Sequence, residues 1–156
     1  MARSGPSIAP FPGVPVSAAA KKGNSMFSMI PLLGVSLILF TVAVFAGGDS
    51  WTTEQMFALQ MVSGDEWRIS FGDAFIIVSM AFLFIELLRA TKTGTDSLVN
   101  HALSAMLFII TLLLFIIVPG YGNSVFFIFM SMTFLDFMAG FIVTTVTARR
   151  DFGVAA

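Results

Sequence analysis

The chain has no cysteine, which excludes disulfides, thiolate metal sites, thiol nucleophiles and cysteine-held clusters together. It has one histidine, so a haem held by two imidazoles of this chain is excluded as well, and nothing supports a His–Met pair. Charge is scarce. Only 11% of the 156 residues are Asp, Glu, Lys or Arg, against about 25% in an ordinary soluble domain. No phosphate loop, nucleophile constellation, metal-ligand spacing or nucleic-acid motif is present. One histidine with no paired nucleophile makes no triad, and a lone deep aspartate makes no aspartyl dyad. The reading is therefore a non-enzyme with no cofactor, no metal and no nucleic-acid partner. Internal repeats are also missing, which argues against an inverted-repeat transporter.

What fills the chain is apolar, at 57% hydrophobic residues with 18 Phe and 10 Met. The apolar residues fall in long runs free of charge, as lipid-facing helices require. Residues 1–24 are rich in Pro, Gly, Ala and Ser and read as a flexible cytoplasmic tail ending at Lys21 and Lys22. Four spans follow in residues 25–150, at about 26–46, 69–88, 101–118 and 124–147, with a short tail at 151–156. The first is about 31 Å long as a helix, enough for a hydrocarbon core of about 30 Å. Pro31 lies near its start, where a missing backbone donor costs little. Cleavage after Val44-Phe45-Ala46, as in a signal peptide, is the competing reading, but the apolar run and the preceding tail are both long for one.

The one substantial loop covers residues 47 to about 69. Thr52 and Gln55 stand three apart, as in a capping box, and predict a short amphipathic helix from Thr53 to Val62. Trp51 and Trp67 flank it, so it is expected on the outer bilayer surface or folded over the bundle. Ser63, Gly64 and Asp65 then make a turn. Arg89 to Asn100 form a polar loop, and Pro119 to Asn123 a tight turn that makes the last two spans an antiparallel hairpin.

Basic residues sort to one side of a four-span arrangement. Arg3, Lys21, Lys22, Arg89, Lys92, Arg149 and Arg150 share that side, with only Arg68 opposite. Asp49, Glu54, Asp65, Glu66 and Asp73 occupy the other. By the positive-inside rule both termini are cytoplasmic. The expected fold is all-α, an integral membrane four-helix bundle running up-down-up-down, in the inner (plasma) membrane of a bacterium.

Asp136 is the foremost candidate residue, because it lies midway along the fourth span. An Asp at the bilayer centre opposes insertion by roughly 2.5–3.5 kcal/mol, which about six Leu, Ile or Phe residues offset. It must face the bundle interior or a watery cavity. Counting by four adds Gly140, Thr144 and Ala148, a stripe of small residues suited to close helix packing. Ser36, Ser79 and Thr111 fall at a similar depth on the other spans and form a prospective belt of hydroxyls around Asp136. Gly72, Ser79 and Glu86 share one face, and His101, Ser104 and Thr111 another.

Each has a structural alternative. A buried Asp serves as interhelical glue when hydrogen-bonded to a hydroxyl, as a station for protons or cations, or as a dock for a basic partner helix. Hydroxyls are common in membrane helices. Glu86 is explained by pairing with Arg89 three residues on, or by snorkelling. His101, at the same cytoplasmic level, is placed to meet Glu86 across the helix pair, and its structural alternative is an interfacial or capping histidine. Asp136 is expected several turns too deep to join them in a metal site.

Phe71-Gly72-Asp73, Phe84-Ile85-Glu86 and Phe134-Leu135-Asp136 with Ala139-Gly140-Phe141 resemble segments of small four-helix inner-membrane proteins of bacteria. The resemblance covers about 90 residues, from Ser63 to Phe152. No activity is assigned to that family, so the resemblance implies location and topology only.

The leading expectation is an accessory subunit or scaffold in the lipid bilayer, packed against other membrane subunits or a second copy of itself. Its rival is a small proton- or cation-coupled transporter or channel using Asp136. A subunit that helps bind a quinone or lipid rests on Glu86 and His101 alone.

Overall fold

A computed structural model describes residues 31–90 and 95–153. Within them the order is α1 (Leu32–Gly47), a 3-10 turn (Gly48–Ser50), β1 (Gln55–Gln60), β2 (Glu66–Ser70), α2 (Phe71–Ala90), α3 (Thr95–Ile117) and α4 (Ser124–Gly153). The expected N-terminal tail and the first residues of the expected first span lie outside the described residues. Three helices are long and apolar enough to cross a membrane, at Phe71–Ala90, Val99–Ile117 and Ser124–Val146. The apolar α1 has 16 described residues.

Two boundaries differ from the sequence reading. α3 begins at Thr95, so much of the expected polar loop is helical. α4 continues through Arg149 and Arg150 to Gly153, into the expected C-terminal tail.

The fold is not purely helical. The predicted helix at Thr53–Val62 is instead the first strand of an antiparallel β-hairpin. Phe57 pairs with Ile69 and Leu59 with Trp67, so these four share one face, while Ala58, Gln60, Glu66 and Arg68 share the other. The apolar residues Phe57, Leu59 and Met61 recur every second position, which suits a strand. The expected turn is present, and it brings Glu66–Ser70 alongside. Gly64 takes a φ of 94° there, a value most side chains resist. Pairing with this neighbour satisfies backbone groups that an isolated short helix would leave marginal. The capping box also lies elsewhere. Ser70 Oγ accepts from the Asp73 amide at 3.1 Å, and Asp73 Oδ2 accepts from the Ser70 amide at 2.9 Å, which starts α2. Thr52, by contrast, is buried, and its carbonyl accepts from the Gly72 amide at 3.1 Å.

Helix directions alternate. The first turns of α2 and α4 lie side by side, since a Cβ on Gly72 would sit 2.8 Å from Val125 Cγ2. Phe115 stacks near Phe127 and His101 near Phe137, so α3 runs antiparallel to α4. Leu33 meets Glu86 and Phe40 meets Phe75, so α1 runs antiparallel to α2. α4 packs most extensively on α3, then on α2, while α2 and α3 barely touch. The start of α1 and the end of α4 therefore share one end of the bundle, here the termini end. The β-hairpin and the Pro119–Asn123 turn share the other, the hairpin end.

The hairpin end holds the apolar core. The Phe40 ring lies 5.1 Å from Trp51, 5.2 Å from Phe75, 5.6 Å from Tyr121 and 4.7 Å from Phe126. Offset and edge-to-face rings at such spacings add to the gain from burial. Tyr121 satisfies its hydroxyl by donating to Thr41 Oγ1 at 3.0 Å. Asn123 caps α4, its Oδ1 accepting from the Phe126 amide at 2.9 Å.

Candidate functional site

From the middle of the bundle to the termini end, the interior turns polar. Ser36, Ser79, Glu86, Ser104, Thr111, Thr133 and Asp136 are all buried. Burial at this density demands partners, because an unpaired polar group away from water costs free energy.

Asp136 projects from α4 and is 3% exposed. The Ser104 hydroxyl of α3 hydrogen-bonds its carboxyl, and His101 acts on it through charge. Its Oδ2 finds no partner among the described residues. His101 lies against α4, its ring parallel to Phe137 with centroids 5.4 Å apart. That placement depends on Gly140, where a Cβ would fall 2.4 Å from His101 Nδ1. The small-residue position thus serves packing within the chain. Thr144 donates to the Gly140 carbonyl of its own helix at 2.9 Å. The side chain of Ala148 lies outside the described residues.

Glu86, at 1% exposed, does something the sequence reading did not anticipate. Its Oε2 accepts from the Leu33 amide at 3.2 Å, and the Leu32 amide also donates to the carboxyl. These are orphan donors of the first turn of α1, which has Pro31 as N-cap and no side-chain cap of its own. Glu86 therefore caps a neighbouring helix, where an anion is favoured by the helix dipole as well. Arg89 acts on it through charge, but the fully buried carboxyl does not snorkel. Oε1 finds no partner among the described residues.

Asp136 also interacts by charge with Glu86. The expected gap of several turns between Asp136 and His101 is corrected, because Gly140, which packs on His101, lies only about one helical turn after Asp136. α3 starts at Thr95, so His101 is carried about 9 Å into the helix, six residues at about 1.5 Å each. Asp136 is the residue that interacts with both Glu86 and His101. Among the described residues no three His, Cys, Asp or Glu side chains form a group fit to hold a metal ion.

The hydroxyl belt is only partly assembled. Thr111 Oγ1 lies 3.0 Å from Thr133 Oγ1, a bridge between α3 and α4. One hydroxyl donates across that bridge, which leaves the other to donate within its own helix, Thr111 toward Phe108 O or Thr133 toward Met130 O. Ser36 and Ser79 are buried, and their hydroxyls find no partner among the described residues. Ser104 and Thr133 are the members the sequence reading left out of the site. Antiparallel pairing around the Pro119–Asn123 turn was the signal that would have found them, because it sets Ser104 across from Asp136 and Thr111 across from Thr133.

At the hairpin end, a hollow of about 360 Å³ lies between the end of α3 and the turn, lined by Phe115 to Gly120 with Gly122 and Asn123. None of these residues ionises. No protein-family model, curated protein or solved structure matches the chain.

Proposed function

We propose that this chain is a multi-pass protein of the bacterial inner membrane that takes up and releases a proton or small cation at the Asp136 cluster, as a small transporter or coupling subunit. One observation carries the reading. Asp136, deep in the longest helix, bonds Ser104 and lies within charge range of His101 and Glu86 from two other helices, and buried atoms on Asp136, His101 and Glu86 lack partners among the described residues. Ionisable groups inside apolar helices are costly, and each is by default a candidate for an ion or proton pathway. Three helices of membrane-crossing length support the membrane location. The apolar α1 supplies the fourth crossing in this reading. The clustering of Arg and Lys at one end supports cytoplasmic termini.

Reconstitution into lipid vesicles tests this reading. Wild-type protein conducts protons or a monovalent cation across the vesicle wall, and Asp136→Asn abolishes the flux. Absence of flux in the wild type, or an unchanged flux in the variant, removes the reading.

A second reading, an accessory subunit or scaffold, has its own observation. α2 and α3 bury only 17% of their apolar windows within the chain. Ile77, Val78, Met80 and Phe84 of α2 and Met106, Ile109 and Leu113 of α3 all face outward. Lipid covers such a surface, and so does a neighbouring subunit. Gly140, the centre of the small-residue stripe, is already used against His101, which weakens the stripe as a motive for association. Isolation in mild detergent at native expression level gives a larger complex under this reading and a lone monomer if it is wrong.

A further inference from the structure

The chemistry of the two carboxyls narrows the ion, and this step rests on the proton-or-cation reading above. Glu86 has one oxygen, Oε2, accepting from the Leu33 amide at 3.2 Å, with the Leu32 amide also bonded to the carboxyl. Asp136 has the Ser104 hydroxyl as its donor. The remaining oxygens, Glu86 Oε1 and Asp136 Oδ2, are buried without a hydrogen-bond partner among the described residues. Donors thus occupy one side of each carboxyl, and one bare oxygen is left on each.

That pattern suits a proton better than a metal cation. A metal ion such as Ca²⁺ is held by six to eight oxygens, and Mg²⁺ by an octahedron. Here amide and hydroxyl donors fill part of the acceptor capacity. No three-residue ligand group forms among the described residues. Two like charges in a medium of low dielectric repel strongly, and a single proton removes one of them.

The charged surroundings are simple. α1 contributes amide donors to Glu86 and has no ionisable side chain. α2 contributes Arg89, which acts on Glu86, and α3 contributes His101, which acts on Asp136. At the hairpin end the ring cluster around Phe40 brings no charged group.

We propose that Glu86 and Asp136 form one proton-binding pair, with a single proton carried on either Glu86 Oε1 or Asp136 Oδ2. Loading takes the pair from two negative charges to one, with the proton drawn from water and given back to water on release. Oε2 keeps its amide donors in both states, so α1 stays capped while the proton comes and goes.

Infrared spectroscopy of the full-length protein in lipid nanodiscs tests this directly. The wild type at neutral pH shows the carbonyl stretch of one protonated carboxylic acid, and the band disappears on raising the pH. Glu86→Gln and Asp136→Asn each lose it, because the surviving carboxyl no longer has a like-charged neighbour. Ser104→Ala keeps the band at a shifted frequency. Gel filtration and far-ultraviolet circular dichroism establish that each variant is folded. Should one of the two carboxyl variants fail to fold, the other decides. Absence of the band in the wild type overturns the proposal. So does survival of the band in either folded carboxyl variant, which would mean a carboxyl protonated by burial alone. A shared band without vesicle flux leaves the proton site standing and removes transport. Flux with independent carboxyls does the reverse.

Discussion

The two ends of this bundle solve the burial problem in opposite ways. At the hairpin end, Phe40 touches four aromatic rings, and Tyr121 and Asn123 find hydrogen-bond partners. Among the described residues, only Trp51 Nε1 is left there as a buried polar side-chain atom without a partner. From the middle to the termini end, five such atoms remain, on Ser36, Ser79, Glu86, His101 and Asp136. Native interiors leave few polar groups unsatisfied, and those that remain cluster at sites with a job beyond packing. The comparison teaches that aromatic packing and buried polar groups are separated along the bundle axis. The aromatic end holds the helices together, and the polar end is free to hold groups that packing alone would reject.

The contrast breaks first at the largest side chain. Phe40→Ala is expected to cost about 3–5 kcal/mol, the usual loss for a buried Phe, read from unfolding in mild detergent. A loss under about 1 kcal/mol would mean that the ring cluster is not the structural anchor. Next come the two glycines that permit close approach, one at each end. Gly72→Ala drives a methyl to 2.5 Å from the Thr52 carbonyl oxygen, which is backbone and cannot swing aside. Gly140→Ala presses on the ring of His101, a side chain. Overpacking costs about 1–3 kcal/mol, with Gly72→Ala toward the upper part of that range and Gly140→Ala toward the lower. Gly140→Ala should also shift the His101 ring resonances in NMR, and equal costs with an unmoved ring would refute the distinction.

A smaller effect is expected at the Glu86 cap. Glu86→Gln keeps an acceptor for the α1 amides but exchanges a charge-assisted bond for a neutral one, a loss of about 1 kcal/mol. Amide hydrogen exchange at Leu32 and Leu33 then speeds up about fivefold, while amides near Phe40 are unaffected. Unchanged exchange at Leu32 and Leu33 would show that Glu86 does not hold the start of α1. Smallest of all is Ser79→Ala. Its hydroxyl has no partner among the described residues, so its removal is expected to change stability by less than about 0.5 kcal/mol. A loss of 1 kcal/mol or more in thermal unfolding would reveal a hydrogen bond to water or an ion and make the polar end wetter than its protein contacts show.

Much of the architecture was legible in the residues. Apolar runs of about twenty residues with few charges marked the long helices, because such a stretch suits a helix that is apolar on most sides. Pro119 to Asn123 and Ser63 to Asp65 marked turns, because Gly and Pro permit or impose backbone angles that helices do not use. Asp136 stood out because a carboxyl in such a run is rare. The β-hairpin was not legible in the same way. Met56, Phe57, Leu59 and Met61 fit a short helix and a strand alike, and the choice depended on Glu66–Ser70 arriving as a partner. Likewise, Ser70-x-x-Asp73 and Thr52-x-x-Gln55 offered similar capping signals, and only the first stands at a helix start.

Composition and periodicity alone, then, determined that this chain makes apolar helices joined by turns. Local spacing fixes which residues share a helix face, so the polar stripes could be read in advance. Which stripe meets which was decided only by tertiary packing, through helix offsets, the true start of α3 and the central place of α4. Those are sums over many weak contacts between distant segments. They set Ser104 beside Asp136, placed Glu86 over the first turn of α1, and brought both carboxyls within reach of each other's charge.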